Sequence, residues 1–123
     1  MRTLGEFYKE KTTGRDDLVI REFPDYNGEC EVVKDLFGVK LYSGKNFIEC
    51  RSEEEARYLK IFFDAGMDNV AVPGDDDYLK IILPELENLK NKMDEIISLY
   101  VDGVLNRKLK ERVKREVYIE LIK

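Results

Sequence analysis

The chain has 123 residues, of which 38 % are charged, and a formal net charge of −5. That length fits one domain whose core needs neither a metal nor a disulfide, and the negative balance excludes an indiscriminate grip on nucleic acid or anionic lipid. There is no histidine, so Ser–His and Cys–His nucleophilic pairs are excluded, and Cys30 and Cys50 would need two carboxylates to complete a zinc site.

No metal or cofactor is therefore expected. The two cysteines read as small buried hydrophobes, reduced rather than bridged. Lys and Glu carry most of the charge excess, a balance found in proteins of thermophiles; long exposed helices in a mesophilic protein give the same balance. The opening residues Met1 to Glu6 lack an apolar signal core, and no apolar run approaches the ~20 residues of a membrane span. A cytoplasmic location is the expectation.

Thr3 followed by Glu6 has the spacing of a capping box, which predicts a helix over Leu4–Lys11. Leu18–Phe23 reads as a first strand, and Pro24 to Gly28 as a cluster of turn formers. Residues 30–38 admit two readings, a short helix ending at Gly38 or a strand with a bulge. The β-type run Val39 to Tyr42 that follows favours the strand. Ser43-Gly44-Lys45 then predicts a tight hairpin, with Asn46–Arg51 as the returning strand.

Ser52 followed by Glu55 is the clearest helix start in the chain. Glu53, Glu54 and Glu55 suit the dipole of the first turn. Ala56, Leu59, Phe62 and Phe63 form an apolar stripe that ends at Gly66. Asn69–Val72 is a short strand, and the order strand, helix, strand predicts a crossover back into the same sheet.

Asp75 to Asp77 read as the capped, acidic first turn of the next helix rather than a cation site. Leu79, Ile82, Leu86, Leu89, Met93, Ile96 and Tyr100 then alternate by three and four, as in a coiled-coil seam. Pro84 should kink that helix or start a new one, and Gly103 offers a point where the arm could fold back. Leu105, Leu109, Val113, Val117 and Leu121 continue the stripe. The fold class expected is α+β: a three- to four-stranded sheet with one or two packed helices over residues 1–74, then a helical arm over 75–123 in the same folding unit.

Two constellations could carry chemistry. Arg107, Lys108, Lys110, Arg112, Lys114 and Arg115, against Glu111, put +5 into nine residues, so the rest of the chain carries −10. Such a stretch could meet phosphates along a nucleic acid, or form a solvated helix face. The second is the order helix, three strands, helix, strand, with Glu49-Cys50-Arg51 closing the third strand. It resembles the core of the PD-(D/E)-x-K nuclease superfamily, active or decayed. The resemblance implies Mg²⁺ held by Glu49 and an acid on the second strand, for which Asp35 inside it and Asp25 before it are candidates. Arg51 stands where that superfamily has lysine, and arginine cannot accept a proton. The dozen residues Ile48 to Leu59 also resemble segments in the recognition regions of adenine-specific DNA methyltransferases.

The arm decides the expected role. Asp76 to Lys123 holds 48 residues, ~70 Å if helical throughout, while the preceding residues make a globule only ~20–25 Å across. A non-enzymatic interaction or accessory module follows, one that forms a homodimer through Leu86, Leu89, Met93, Ile96 and Tyr100. The nucleic-acid accessory and nuclease-like readings stand as alternatives.

Overall fold

Each helix begins where a side chain caps it. The computed structural model describes residues 3–101, apart from the side chains of residues 97 and 99–101. Helix α1 (Leu4–Thr12) starts with the Thr3 hydroxyl accepting from the Glu6 amide at 3.0 Å. Helix α2 (Glu53–Asp64) starts with the Ser52 hydroxyl accepting from the Glu55 amide at 3.2 Å. Helix α3 (Asp76–Val101) starts with the Asp75 carboxylate accepting from the Asp77 and Tyr78 amides. Gly66, at φ 104, closes α2, with its amide donating to the Phe63 carbonyl and the Met67 amide to the Phe62 carbonyl. A positive φ at that point suits glycine alone among common residues.

The strands are β1 (Leu18–Glu22), β2 (Glu31–Asp35), β3 (Gly38–Ser43), β4 (Asn46–Cys50) and β5 (Asn69–Pro73). The class is α+β, with an antiparallel β2-β3-β4 sheet and a separate antiparallel β1-β5 pair. Within residues 30–38 the chain is strand over Glu31–Asp35, not helix, as the β-type continuation favoured, but it is not one strand with 39–42. The chain reverses at Leu36-Phe37, with Asp35 paired to Gly38. Gly38, which also fits a helix stop, takes the positive φ of this turn.

The expected crossover does not return to its own sheet. β5 pairs with β1 instead, Val19 facing Val72 and Arg21 facing Val70. The exposed side of β4 is engaged differently, because the Arg21 guanidinium donates to the Glu49 carbonyl.

One core serves sheets and helices together. Helix α2 lies across β5 and the inner face of β2-β3-β4, α3 packs on α2, and α1 packs on α3 and β5. Ala56, Leu59, Phe62 and Phe63 are buried as their spacing implied, with Tyr58 and Ile61 joining them. Leu79, Ile82, Leu83, Leu86, Leu89 and Met93 of α3 complete the cluster. Pro84 lies inside one continuous helix. It faces solvent, so water can satisfy the carbonyl that loses its partner there. At 26 residues α3 is ~39 Å long.

Cys30 is buried, Cys50 is partly buried, and both are free thiols. Among the described residues no helix is long and apolar enough to cross a membrane.

Two substitutions test this packing. Phe63→Ala should cost about 3–5 kcal/mol, since the ring is 2 % exposed and meets Phe23 edge to face at 6.0 Å. Tyr58→Phe should cost about 1–3 kcal/mol, because it strips a buried hydroxyl that donates to the Ala71 carbonyl. Chemical denaturation reads both; a cost below ~1 kcal/mol for Phe63→Ala would place the ring outside the core.

Candidate interaction surface

Glu55 is the one buried carboxylate of the described core, 1 % exposed. Helix α2 sets it one turn beyond Arg51, whose amide donates to it at 3.1 Å and whose guanidinium pairs with it at 3.0 Å. Arg21 reaches it from β1 at 3.4 Å. Arg51 also donates to Asp76 at 2.8 Å and to the Pro73 carbonyl at 2.9 Å. Ser52 donates to Asp76 as well. Burial pushes the Asp76 carboxyl up, and the hydrogen bonds from Arg51 and Ser52 outweigh it, leaving the group below the usual carboxylate range. This network joins β1, β4, β5, α2 and α3. Its groups are spent on one another, as in a structural ion-pair cluster rather than a site awaiting a ligand.

That geometry bears on the nuclease-like constellation. Glu49 lies on the outer face of the three-stranded sheet and is exposed, whereas Arg51 turns to Glu55 and Asp76 on the other side. Strand periodicity would put residues 49 and 51 on one face, but β4 ends at Cys50 and the chain bends into the α2 cap, so the two point apart. Asp35 does lie on the outer face with Glu49, but β3 separates them. Val33 faces Lys40 and Lys40 faces Glu49, so the two acids stand about 10 Å apart across the strands alone. Oxygens sharing one Mg²⁺ lie ~2.0–2.1 Å from the ion. Asp35 instead accepts from the Phe37 amide at 2.7 Å and pairs with Lys40 at 3.7 Å. Asp25 lies in the loop before β2, where its carbonyl accepts from Asn46. Among the described residues no group of carboxylates and thiols is placed to hold a metal ion.

An open cavity of about 500 Å³ lies at the start of β2, lined by Glu29, Cys30, Glu31, Val32, Tyr42, Gly44 and Lys60. Lys60 pairs with Asp64 at 2.9 Å, and Asp64 accepts from the Cys30 amide at 2.9 Å. Burial, with Asp64 beside it, pushes the Cys30 thiol up to about 12. Burial, with Glu55 beside it, pushes Cys50 up to about 11. Neither is a reactive thiolate near neutral pH.

The outer face of β2-β3-β4 is different in kind. Tyr42 and Phe47 stack across β3 and β4 with ring centroids 5.1 Å apart, and the Lys40 ammonium lies 5.1 Å over the Phe47 ring. Phe47 is 46 % exposed. At the end of this sheet Leu36 is 99 % exposed and Phe37 is 89 % exposed. Turn geometry does not explain them. Two-residue hairpin loops favour Asn, Asp and Gly, and neither Leu36 nor Phe37 has a positive φ. Around this tip only Gly38 is a turn-type residue by composition, and it fits a helix stop equally well.

The seam residues fall elsewhere. Leu86, Leu89 and Met93 are buried inside this chain's own core, and Ile96, 38 % exposed, is where the stripe emerges. The side chain of Tyr100, the fold-back point at Gly103, the stripe Leu105 to Leu121 and the basic residues Arg107, Lys108, Lys110, Arg112, Lys114 and Arg115 lie outside the described residues. No family model, curated protein or solved structure matches the chain.

Glu55→Ala should cost about 1.5–3 kcal/mol, since the Arg51 amide and two partly exposed guanidiniums lose their charged acceptor. Glu49→Ala should stay within ~0.5 kcal/mol. Equal costs by urea denaturation would contradict the assignment of the network. The thiols give a pH test. Their folded values exceed the ordinary 9.0, so the folded chain holds these protons longer than the unfolded one. Stability from this source is full below pH 9 and should fall as pH rises through 11 to 12. Cys30→Ala should flatten that fall, measured against wild type.

Proposed function

We propose that this chain is a protein-interaction module that presents the β2-β3 hairpin tip and the adjoining sheet face to a partner protein. The observation that supports it most is the near-complete exposure of Leu36 and Phe37 at a turn whose geometry asks for neither. Exposed large apolar groups beside an aromatic platform have the make-up of an interface core. Aromatic anchors of this kind carry most of the binding energy at protein interfaces.

Charge selects the class of partner. Lys40 pairs with Asp35 at 3.7 Å, and Lys34 pairs with Glu53 at 3.0 Å. The knob is thus apolar and its flanking charges are internally balanced. An apolar pocket on a protein suits it. Phosphate-rich partners would meet the chain's overall net charge of −5. The accessory reading through the basic stretch draws on Arg107 to Arg115 and is independent of this face.

A photo-crosslinking residue at position 37 should capture a partner that the same residue at position 92 does not. The purified partner should then lose at least about 30-fold in affinity for Phe37→Ser. Leu36→Ser and Phe37→Ser should each leave stability within ~0.5 kcal/mol. Equal affinity of wild type and both variants would remove the hairpin tip from the interface.

A further inference from the structure

Strand β1 has one edge bonded and one edge open, and the register says which groups are which. The Gly74 amide donates to the Asp17 carbonyl at 2.9 Å, so 17 and 74 form a hydrogen-bonded pair. Antiparallel ladders alternate. Val19–Val72 and Arg21–Val70 are then bonded pairs, and Leu18–Pro73, Ile20–Ala71 and Glu22–Asn69 are not. Two independent facts agree. Pro73, which has no N–H, falls in a non-bonded pair. Ala71 sends its N–H to the Tyr8 hydroxyl and receives the Tyr58 hydroxyl on its carbonyl, both away from β1. Leu18, Ile20 and Glu22 therefore direct their N–H and C=O groups away from β5. Among the described residues nothing bonds to them.

The other edges are guarded. Tyr8 and Tyr58 cap β5 at Ala71. Arg21 occupies the Glu49 carbonyl of β4. On β2, Lys34 stands on the edge strand with its side chain 62 % exposed, a usual guard. Pairing β2 with its own copy about Val33 would set Glu31 against Asp35 twice. β1 carries charges of both signs, Arg21 and Glu22, rather than a lone ammonium, and Ile20 is 61 % and Val19 42 % exposed.

We infer that β1 pairs with β1 of a second copy of this chain, antiparallel about a two-fold axis at Ile20, giving a continuous β5-β1-β1-β5 sheet. That register uses every outward group. Ile20 faces Ile20 of the partner subunit, Leu18 faces Glu22 of the partner subunit, and Val19 faces Arg21 of the partner subunit. No like charges oppose, and Arg21 and Glu22 leave the strand neutral. The contact is isologous and closes on itself as a dimer. It is independent of the hairpin tip and differs from a seam formed by α3.

Ile20→Pro is the selective probe, because it deletes an outward N–H while leaving the bonds to β5 in place. The full-length wild-type chain should sediment at twice the chain mass at high micromolar concentration. Ile20→Pro should sediment as a monomer with an unchanged circular-dichroism spectrum. Ile20→Lys, which keeps the N–H but sets two ammonium groups against each other, should do the same and serves if the proline variant unfolds. In hydrogen exchange the Leu18, Ile20 and Glu22 amides of wild type should gain protection as concentration rises. A wild-type monomer, a dimer that survives both substitutions, or protection independent of concentration (the edge then being covered by the same chain) would each overturn the inference.

Discussion

The arrangement of the molecule depends on a single buried carboxylate. The two sheets share no ladder hydrogen bond, so their relative placement rests on α2 and on what Glu55 holds. From the first turn of α2 that side chain takes Arg21 from β1 and Arg51 from the end of β4. Through Arg51 it reaches Asp76 at the start of α3 and the Pro73 carbonyl at the end of β5. A carboxylate at that depth needs its hydrogen-bonding capacity met by the protein. Here three donors from two arginines meet it, and the guanidinium side chains keep 26 % and 32 % of their exposure. The desolvation cost therefore falls mainly on one partner, and water still screens the other two. This favours a joint that fixes geometry over one that adds much stability.

The same network explains where local reading of the sequence stops. Caps, stripes and stops are set by residues within a turn of one another, and Thr3–Glu6, Ser52–Glu55, Phe62–Phe63 and Gly66 all act as their spacing implies. Glu55 was legible as a cap partner and a first-turn acid. Nothing local marks it as buried, because its burial follows from Arg21, thirty-four residues away. Arg51 was legible as the residue two beyond Glu49, in a pattern resembling a nuclease motif. Its role is set by Glu55 one turn on, so the i, i+4 pair outweighs the period of the strand it leaves. The β1-β5 pairing was illegible for the same reason, being a contact between residues about fifty apart in the chain.

The apolar seam of α3 shows a different limit. Spacing of three and four identifies a face that must be covered, but not what covers it. From Leu79 to Met93 the cover is α2 and the core of the same chain. A globule of ~20–25 Å falls short of the ~39 Å that α3 spans, and the emergence of Ile96 matches that mismatch. Leu86, Leu89 and Met93 lie within reach of the domain and are buried in it, and the arm beyond Val101 lies outside the described residues.

Hairpin and edge together show how this small protein distributes its exposed apolar groups. Each open strand edge risks indiscriminate pairing, and this chain meets the risk with a different group at each place: tyrosine hydroxyls on β5, a guanidinium on β4, an ammonium on β2. Leu36, Phe37 and Phe47 lie on a sheet whose edges carry two of those guards. Such a sheet can offer side chains to a partner without offering backbone. β1 has the reverse character, with backbone groups free on its outer edge and short apolar residues beside them. A surface that recognises by side-chain shape and one that pairs by backbone register make different demands on a partner, and placing them on separate sheets lets each act without occluding the other.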